Sequence, residues 1–432
     1  MTPQSEWESA RARALIAARD IGGAIRFARE ARGWRQADLG KAVSCSASTI
    51  SRLENGRRAA IDLETVRRVA QAVRIPSHVL GAFISVPPVT TVVTTTAPPA
   101  EEDPMRRRTL LSATGLAIPA HLLARLDDAL VILPAASSAP GLPHITARLT
   151  QARDHFDSGH LARLLSDLPD LLAVAHEAAD RNTRPETYAL AAACYEVATS
   201  ALNKIGRHQA SRITADRATM LAKLSDSPVS MATAARCLSI VLRHEGRGPA
   251  ADQVTLRAIA LLESTGLTQP AQAAAYAQML CTGAYNSAQV GDRDRALEMI
   301  KAASRAAHLP ARPGIPHAIS PAHVTGYEIS VHWSLGDAGA ALHAGRRVHP
   351  SQLPTPERRG RLHTDLARAW WQWGKPEQAA LALLDAGRES LPEVRDRPAI
   401  RSMALQLIDR HPRTPGARKL AALIGYRRAL DS

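Results

Sequence analysis

The sequence predicts an all-α protein built from at least two units, and three observations lead to that prediction. Aromatic residues make up only 3% of the chain, which favours packed helices because strands depend on β-branched and aromatic side chains. Apolar residues recur three and four positions apart near the N-terminus, and the same helical pattern is broken by regularly spaced glycines further along. At 432 residues the chain is too long for one ordinary hydrophobic core.

The first predicted unit is a small helical domain at residues 20–83. Its first helix carries Ile21, Ile25 and Ala28 on one face and ends at Gly33. Four more helices are predicted at 36–43, 47–55, 63–73 and 77–83. Because only three residues separate the second and third helices, these two must cross steeply, and Gly40 is expected at their closest approach. The residues predicted to face inward from the later helices are Leu39, Val43, Ile50, Leu53, Val66, Val69, Ala70 and Val73.

The third helix of this unit has a polar outer face that includes Ser48, Ser51 and Arg52. An α-helix fits the major groove of DNA, and the first turns of such a helix reach the base edges. The stretch QADLGKAVSCSASTISRLENGRR, at 36–58, closely resembles the phage-repressor/Cro helix-turn-helix family, also called the XRE family. The resemblance covers 21–80, and it implies a five-helix, lambda-repressor-like domain that binds double-stranded DNA.

The same resemblance implies a role for individual residues. Gln36 would hold a phosphate, and Arg29 and Glu54 would form a structural ion pair. Two departures from the family pattern weaken the domain, since Arg35 replaces a helix-capping Ser, Thr or Asn and Ser44 replaces a turn glycine. The remaining DNA-binding residues are Ala47, Ser48 and Arg52 for base edges, Ser46, Thr49, Ser51 and Asn55 for phosphate or peripheral contacts, and Arg57 and Arg58 for the DNA backbone.

A Pro/Thr-rich linker is predicted at 84–104, because prolines remove backbone donors and the segment has no helical periodicity. A connecting segment follows at 105–143, with a helix at 121–132 whose leucines form an apolar face for its neighbours or for a second subunit. The stretch at 105–120 resembles a twin-arginine export leader. We interpret it as a basic turn that starts the connecting helix, because a folded domain precedes it. An exported repeat protein that starts at Met105 is the alternative.

The second predicted unit, at 144–427, has helices interrupted by glycines at intervals of 38 to 47 residues. Repetition at this scale indicates a helical array. Alanine follows the glycine by five positions at Ala251, Ala296, Ala341 and Ala379. This spacing resembles the tetratricopeptide repeat, which implies five to seven helical hairpins around a concave surface. The spaced glycines are Gly159, Gly206, Gly246, Gly291, Gly336 and Gly374.

Chains that join an XRE-type domain to such repeats resemble peptide-sensing regulators. We therefore expect a sequence-specific, DNA-binding transcription regulator that is homodimeric and whose repeats serve dimerisation and the sensing of a peptide or protein. Tyr195, Asn203, Tyr285 and Asn286 are candidates for peptide contact, with ordinary packing as the alternative role. A protein-interaction scaffold whose N-terminal head does not act on DNA is the alternative function.

Composition and motifs limit the remaining possibilities. The net charge of +14 attracts polyanions, but it does not distinguish nucleic acid from a membrane surface. No apolar run reaches the roughly 18 residues that span a bilayer, so we expect a cytoplasmic protein without a membrane partner. Phosphate-binding loops, zinc-protease motifs and nucleophile elbows are missing from the sequence, so we expect no enzyme activity, metal or cofactor. Cys194, Cys237 and Cys281 are predicted to be buried packing residues, with a reactive thiol as the alternative.

Overall fold

The structure is a computed structural model, and it divides the chain into two compact units, Met1–Glu101 and Glu102–Ser432. Every regular element among the described residues is helical, which confirms the predicted all-α class. The predicted linker and the predicted fifth helix of the head lie outside the described residues. The structure describes residues 7, 9, 12, 15, 20–43, 45, 47–54, 69–70, 72–73, 75, 118–134, 141–307 and 319–426, with the backbone alone at 47–49 and 52.

The N-terminal unit contains helices α1 (Ile21–Ala31), α2 (Gln36–Ala42) and α3 (Ala47–Glu54). All three begin at the predicted residue. The Asp20 side chain caps α1 by accepting a hydrogen bond of 2.9 Å from the backbone N–H of Gly23. After α1 the chain reverses at Gly33, where φ is +67°.

The core of this unit consists of side chains that the helical periodicity predicts to face inward. The described members of that set are all buried, while Val66 lies outside the described residues. Two residues that precede the predicted domain also belong to this core. Trp7 is buried, and its ring packs edge-on against the ring of Phe27 with the centroids 5.6 Å apart. Ala12 is buried in the same cluster, so the core extends towards the N-terminus beyond residue 20.

The start of α2 shows how the unusual Arg35 is accommodated. Arg35 occupies the capping position, and the Asp38 side chain accepts a hydrogen bond of 2.8 Å from its backbone N–H. This is one half of the reciprocal arrangement known as a capping box. The acidic residue in the first turn therefore offsets part of the expected loss of a capping side chain.

The C-terminal unit is a succession of helices from residue 120 onwards, and none of its described helices is long and apolar enough to cross a membrane. Its first helix confirms the predicted connecting helix, with Leu126 and Leu130 buried. The helices are α4 (Ala120–Val131), α5 (Leu142–Asp157), α6 (Leu161–Arg181), α7 (Pro185–Lys204), α8 (His208–Leu224), α9 (Pro228–His244), α10 (Gly248–Ser264), α11 (Pro270–Gln289), α12 (Arg293–Ala307), α13 (Pro321–Ser334), α14 (Ala338–Gly345), α15 (Pro356–Gln372), α16 (Pro376–Glu389), α17 (Leu391–Arg395), α18 (Pro398–Arg410) and α19 (Ala417–Leu423), with a 3₁₀ turn at Pro350–Gln352.

These helices pack as consecutive hairpins, which confirms the predicted helical repeats. α7 pairs with α8, α9 with α10, α11 with α12, α13 with α14, and α15 with α16. The first helices of successive hairpins also contact one another, whereas each second helix packs on the first helix of the next hairpin. The first helices α7, α9, α11, α13 and α15 therefore lie at the smaller radius, and we call them the inner layer.

The regularly spaced glycines lie where the hairpins turn. All six predicted turn glycines have a positive φ, between +73° at Gly374 and +83° at Gly336, a conformation that strains other residues. The alanines that follow them at Ala251, Ala296 and Ala341 are fully buried. The glycine spacing thus reflects hairpin turns, and the alanine spacing reflects the close contact of paired helices.

The hairpin that contains α7 meets the hairpin that contains α15, so the five hairpins named above close on themselves. Nζ of Lys204, at the end of α7, lies 2.8 Å from Oε1 of Glu357 in α15 and 2.5 Å from Oε1 of Glu393 in α17. All three side chains are at most 7% exposed. At Gly206 an added Cβ would lie 2.8 Å from the ring of Pro398 in α18, which shows how closely the two ends approach. The inner layer therefore faces the interior of the array.

Candidate nucleic-acid interface

The centre of the head is a buried carboxylate that joins its three described helices. Glu54, the last residue of α3, accepts hydrogen bonds from Nε and Nη2 of Arg29 in α1, at 2.5 and 3.0 Å. It also accepts a hydrogen bond of 2.8 Å from Nε2 of Gln36, the first residue of α2. The Glu54 side chain is fully buried and that of Arg29 is 11% exposed, so the pair is shielded from water. This geometry contains the ion pair that the family resemblance implies.

The same contacts favour the charged form of the Arg29 guanidinium. The hydrogen bond to Glu54 raises the pKa of the Arg29 guanidinium, against the opposing effect of burial. Arg29 also donates a hydrogen bond of 2.6 Å to the backbone carbonyl of Trp34, in the turn between α1 and α2. The C-terminal end of α3 is therefore held against α1, α2 and the turn between them.

A close backbone contact completes this arrangement. A Cβ at Gly22 in α1 would lie 2.6 Å from the carbonyl oxygen of Leu53 and 3.0 Å from that of Glu54. The guanidinium of Arg26, one turn further along α1, donates a hydrogen bond of 3.1 Å to that second carbonyl. Sequence reasoning missed both residues, because their roles depend on a contact between helices that are far apart along the chain. Gly40, predicted at the contact of α2 and α3, is buried.

The inward face of α3 is buried as the sequence predicts. Ile50 and Leu53 are fully buried on the side that faces the other helices. Ser51 lies between them in sequence and is half-buried. The described side chains therefore anchor this eight-residue helix by the face that carries Ile50 and Leu53 and by its C-terminal end.

The predicted site residues fall into three groups in the structure. Gln36 and Ser51 are fully described, and Gln36 is half-buried with its amide nitrogen bonded to Glu54. The second group lies on the described backbone of α3, without description of the side chains: Ala47, Ser48, Thr49 and Arg52. The third group lies outside the described residues and consists of Ser46, Asn55, Arg57 and Arg58.

Comparison with protein families bears directly on this geometry. Residues 20–82 match the family model described as "Helix-turn-helix domain". The N-terminal unit contains a helix-turn-helix domain. The match covers α1, α2 and α3 and agrees with the sequence resemblance, and α2 and α3 are the two helices of the motif.

The other comparisons add little. No curated protein matches the sequence. Among solved structures, the chain is similar to the "Crystal Structure of Bacillus thuringiensis PlcR in complex with the peptide PapR7 and DNA". The identity is 9%, the match covers 85% of this chain and 99% of that chain, and the TM-score is 0.30. A TM-score this low carries no argument about function.

The four residues considered for peptide contact are buried or half-buried in the repeats. Tyr195 is fully buried, and its hydroxyl oxygen lies 3.3 Å from Nδ1 of His176. Asn286 is also buried, and its Nδ2 donates hydrogen bonds of 3.0 and 3.2 Å to the hydroxyls of Ser239 and Thr255. These contacts give both residues the packing role that was the alternative. Asn203 and Tyr285 are half-buried.

The cysteines and the metal-ligating residues show no reactive arrangement among the described residues. Burial raises the pKa values of the Cys194, Cys237 and Cys281 thiols to about 12, so these thiols stay protonated and unreactive. This confirms their predicted packing role. In the part of the chain that the structure describes, no three His, Cys, Asp or Glu side chains are grouped closely enough to hold a metal ion.

Proposed function

We propose that this protein is a transcription regulator that binds specific DNA sequences through α3. The observation that carries the proposal is the anchoring of α3 by Glu54 within a domain that matches the helix-turn-helix family. An anchored helix presents its first turn in a fixed orientation, and fixed orientation is what discrimination between base pairs requires.

The side chains of this surface differ in what they would contribute. Arg52 is the strongest candidate for base recognition, because a guanidinium can donate two parallel hydrogen bonds to guanine. Ala47 and Ser48 are small and would let the helix approach the base edges. Gln36 would contact a phosphate through its amide, and the exposed Arg35 beside it strengthens the positive charge there.

The phosphate and peripheral contacts would surround these base contacts. Arg57 and Arg58 would contact the DNA backbone after the helix, where a positive charge adds affinity for every sequence. The remaining contacts of the proposed interface would come from Ser46, Thr49, Ser51 and Asn55.

A pair of arginine variants tests this division of roles in the full chain. The duplex is one recovered from a random pool by the wild-type protein. Arg52→Ala is expected to cost about 1–3 kcal/mol on that duplex and to relax discrimination at one base pair. Arg57→Ala is expected to weaken all duplexes alike and to lower the salt slope by about 1. Unchanged base preference in Arg52→Ala would refute the base-reading assignment.

The repeats supply the remaining part of the proposal. We infer that they are tetratricopeptide-like, join two copies of the chain into a homodimer and sense a peptide or protein ligand in the cytoplasm. The hairpin packing and the glycine and alanine spacing support the repeat type. Half-sites about one helical turn apart would then match the two-fold symmetry of the dimer. If the full chain shows no preference among duplexes at physiological salt, the scaffold alternative holds instead.

A further inference from the structure

Four arginines lie on two helices of the inner layer and form no ion pair with a described carboxylate. Arg236 and Arg243 lie on α9, and Arg358 and Arg361 lie on α15; we call these four residues the arginine cluster. Each of them is half-buried. Among the described residues, no carboxylate forms an ion pair with any of the four guanidinium groups, although acidic side chains do lie nearby.

Two of the nearby carboxylates are bound by other side chains, and burial disfavours the charged form of a third. Glu357 is bound by Lys204, as described above. Asp365 accepts a hydrogen bond of 2.6 Å from Ser330 and lies 3.4 Å from Arg368. Burial raises the pKa of Glu196 to about 7, against the opposing effect of Arg153 and Arg236. Burial opposes the charge of Arg361, but the nearby groups outweigh it and raise its pKa: Asp365, Tyr327, Glu357 and Glu393. Among the described residues, none of these three carboxylates forms an ion pair with the cluster.

Tyr327 of α13 lies among these arginines and shows the local positive potential. Its hydroxyl oxygen accepts hydrogen bonds of 3.1 Å from Nη2 of Arg236 and 3.0 Å from Nε2 of Gln278. Burial alone would raise the pKa of Tyr327, but Arg236, Arg361 and Arg358 outweigh it and lower the pKa below its ordinary value. Since both lone pairs of the hydroxyl oxygen are used, its hydrogen is directed to an acceptor that the described residues do not supply.

Besides the Tyr327 hydroxyl, a donor of Arg236 also lacks a partner among the described residues. Its Nε is buried and meets no hydrogen-bond acceptor among the described residues. An unsatisfied buried donor is costly, and such costs mark places where another group completes the contacts. The segment 308–318 joins α12 to α13 and lies outside the described residues. Its sequence contains no Asp or Glu, so it cannot supply a carboxylate.

The other arginine of α9 is held in place by neutral partners. Nη1 of Arg243 donates a hydrogen bond of 2.7 Å to Oδ1 of Asn286, and its guanidinium stacks over the ring of Tyr285 at 4.7 Å. Arg243 follows Arg236 by seven residues, which is two helical turns or about 10 Å along one face of α9. The cluster can therefore contact two anionic groups at once while its guanidinium groups stay oriented.

We propose that the arginine cluster and Tyr327 form a binding site for a ligand that carries two or more carboxylate or phosphate groups. The guanidinium groups would pair with the oxyanions, and the Tyr327 hydroxyl would donate the additional hydrogen bond. This assignment rests on the proposed function for its regulatory meaning, because it names the chemistry of the ligand that the repeats would sense. The binding step itself involves no DNA.

The test is calorimetric titration of the full chain, without DNA, using two oxyanion probes. One probe is inorganic pyrophosphate, which represents a free phosphate compound, and the other is a tri-glutamate peptide, which represents an acidic peptide. At least one probe is expected to bind saturably with one site per chain. The probe that binds more tightly identifies the source of the oxyanion.

Arginine variants locate the binding. Arg236→Gln and Arg361→Gln are each expected to weaken it at least about tenfold, since a charge-assisted hydrogen bond is lost. Arg257→Gln is the matched control, because this arginine is exposed on α10, which is not a helix of the inner layer. Binding should change less than about twofold in this variant.

Two results would overturn the proposal. One is no saturable binding of either probe by the wild-type chain, and the other is binding that persists unchanged in both cluster variants. Failure of this kind is separate from failure of DNA binding, which is measured on duplexes with the same preparations.

Discussion

The Glu54 carboxylate offers the most direct test of how the DNA-binding helix is held. Glu54→Gln keeps the shape of the side chain but removes the negative charge that Arg29 contacts at 2.5 and 3.0 Å. Because the Arg29 side chain is only 11% exposed, the substitution leaves a nearly buried cation without its closest counter-charge. Removing one member of such a pair costs about 3–5 kcal/mol. Because the glutamine amide keeps part of the contact with Arg29, we expect a loss of about 3 kcal/mol.

This loss is large for a small unit. Protein domains are stable by about 5–15 kcal/mol, and a small helical head lies at the low end of that range. The expected loss would raise the unfolded population of α1–α3 by roughly a hundredfold. DNA binding would weaken with it, since α3 is positioned by the same contacts.

Hydrogen exchange of the full chain, read by mass spectrometry, measures this change unit by unit. Peptides from α1–α3 of Glu54→Gln are expected to exchange roughly a hundredfold faster than in the wild type, while peptides from α9 and α11 keep their rates. Glu30→Gln is the matched control, because Glu30 lies 3.8 Å from the same arginine but is 45% exposed. It should cost less than about 1 kcal/mol. Equal effects of the two variants would refute the role assigned to Glu54.

Three further predictions follow from the packing and the buried charges. Gly22→Ala should destabilise the head by about 1–3 kcal/mol, measured by the same exchange experiment, because a Cβ would lie 2.6 Å from a backbone carbonyl oxygen of α3. Lys204→Met should destabilise the repeat unit by about 3–5 kcal/mol at pH 7, measured by calorimetry, because Glu357 and Glu393 would stay buried without their shared cation. Burial alone would raise the pKa values of both carboxyl groups, but Lys204 and the nearby arginines outweigh it and lower them. This stabilisation is therefore present above about pH 4.3 and is lost as the pH falls below it. A deficit of Lys204→Met that is the same at pH 3.5 as at pH 7 would contradict the reasoning. Glu196→Gln should stabilise the repeat unit by about 1–3 kcal/mol at pH 8 and by much less at pH 5. The reason is that burial raises the folded-state pKa of Glu196 to about 7, so the stability of the wild type falls as the pH rises through that value. A variant that is less stable than the wild type at pH 8 would refute this.

Local sequence signals were sufficient for the helices and for much of the core. The periodicity of Ile50 and Leu53 gave the buried face of α3, and both are fully buried. The spacing of glycines such as Gly291 gave the hairpin turns, because only a residue without a Cβ adopts a positive φ there without strain. These predictions succeeded since each depends on residues within one or two turns of each other.

Contacts between distant parts of the chain could not be predicted in the same way. Lys204 meets Glu393, which follows it by 189 positions along the chain, and no local pattern identifies that pairing. The close contact of Gly22 with the end of α3 could not be predicted from the sequence either, since it depends on the crossing of two helices.

The interior of the repeats shows the same limit. The sequence pattern does not distinguish the arginines of α9 and α15 from ordinary solvent-facing charges. Their convergence around Tyr327 follows from closure of the hairpin array, which the sequence pattern does not reveal.

Selection of duplexes from a random pool by the full chain, at physiological salt, tests the central claim most directly. The anchored α3 predicts recovery of a recurring sequence whose half-sites are centred about one helical turn apart. Recovery of duplexes without any shared sequence would contradict the account, whatever the repeats bind.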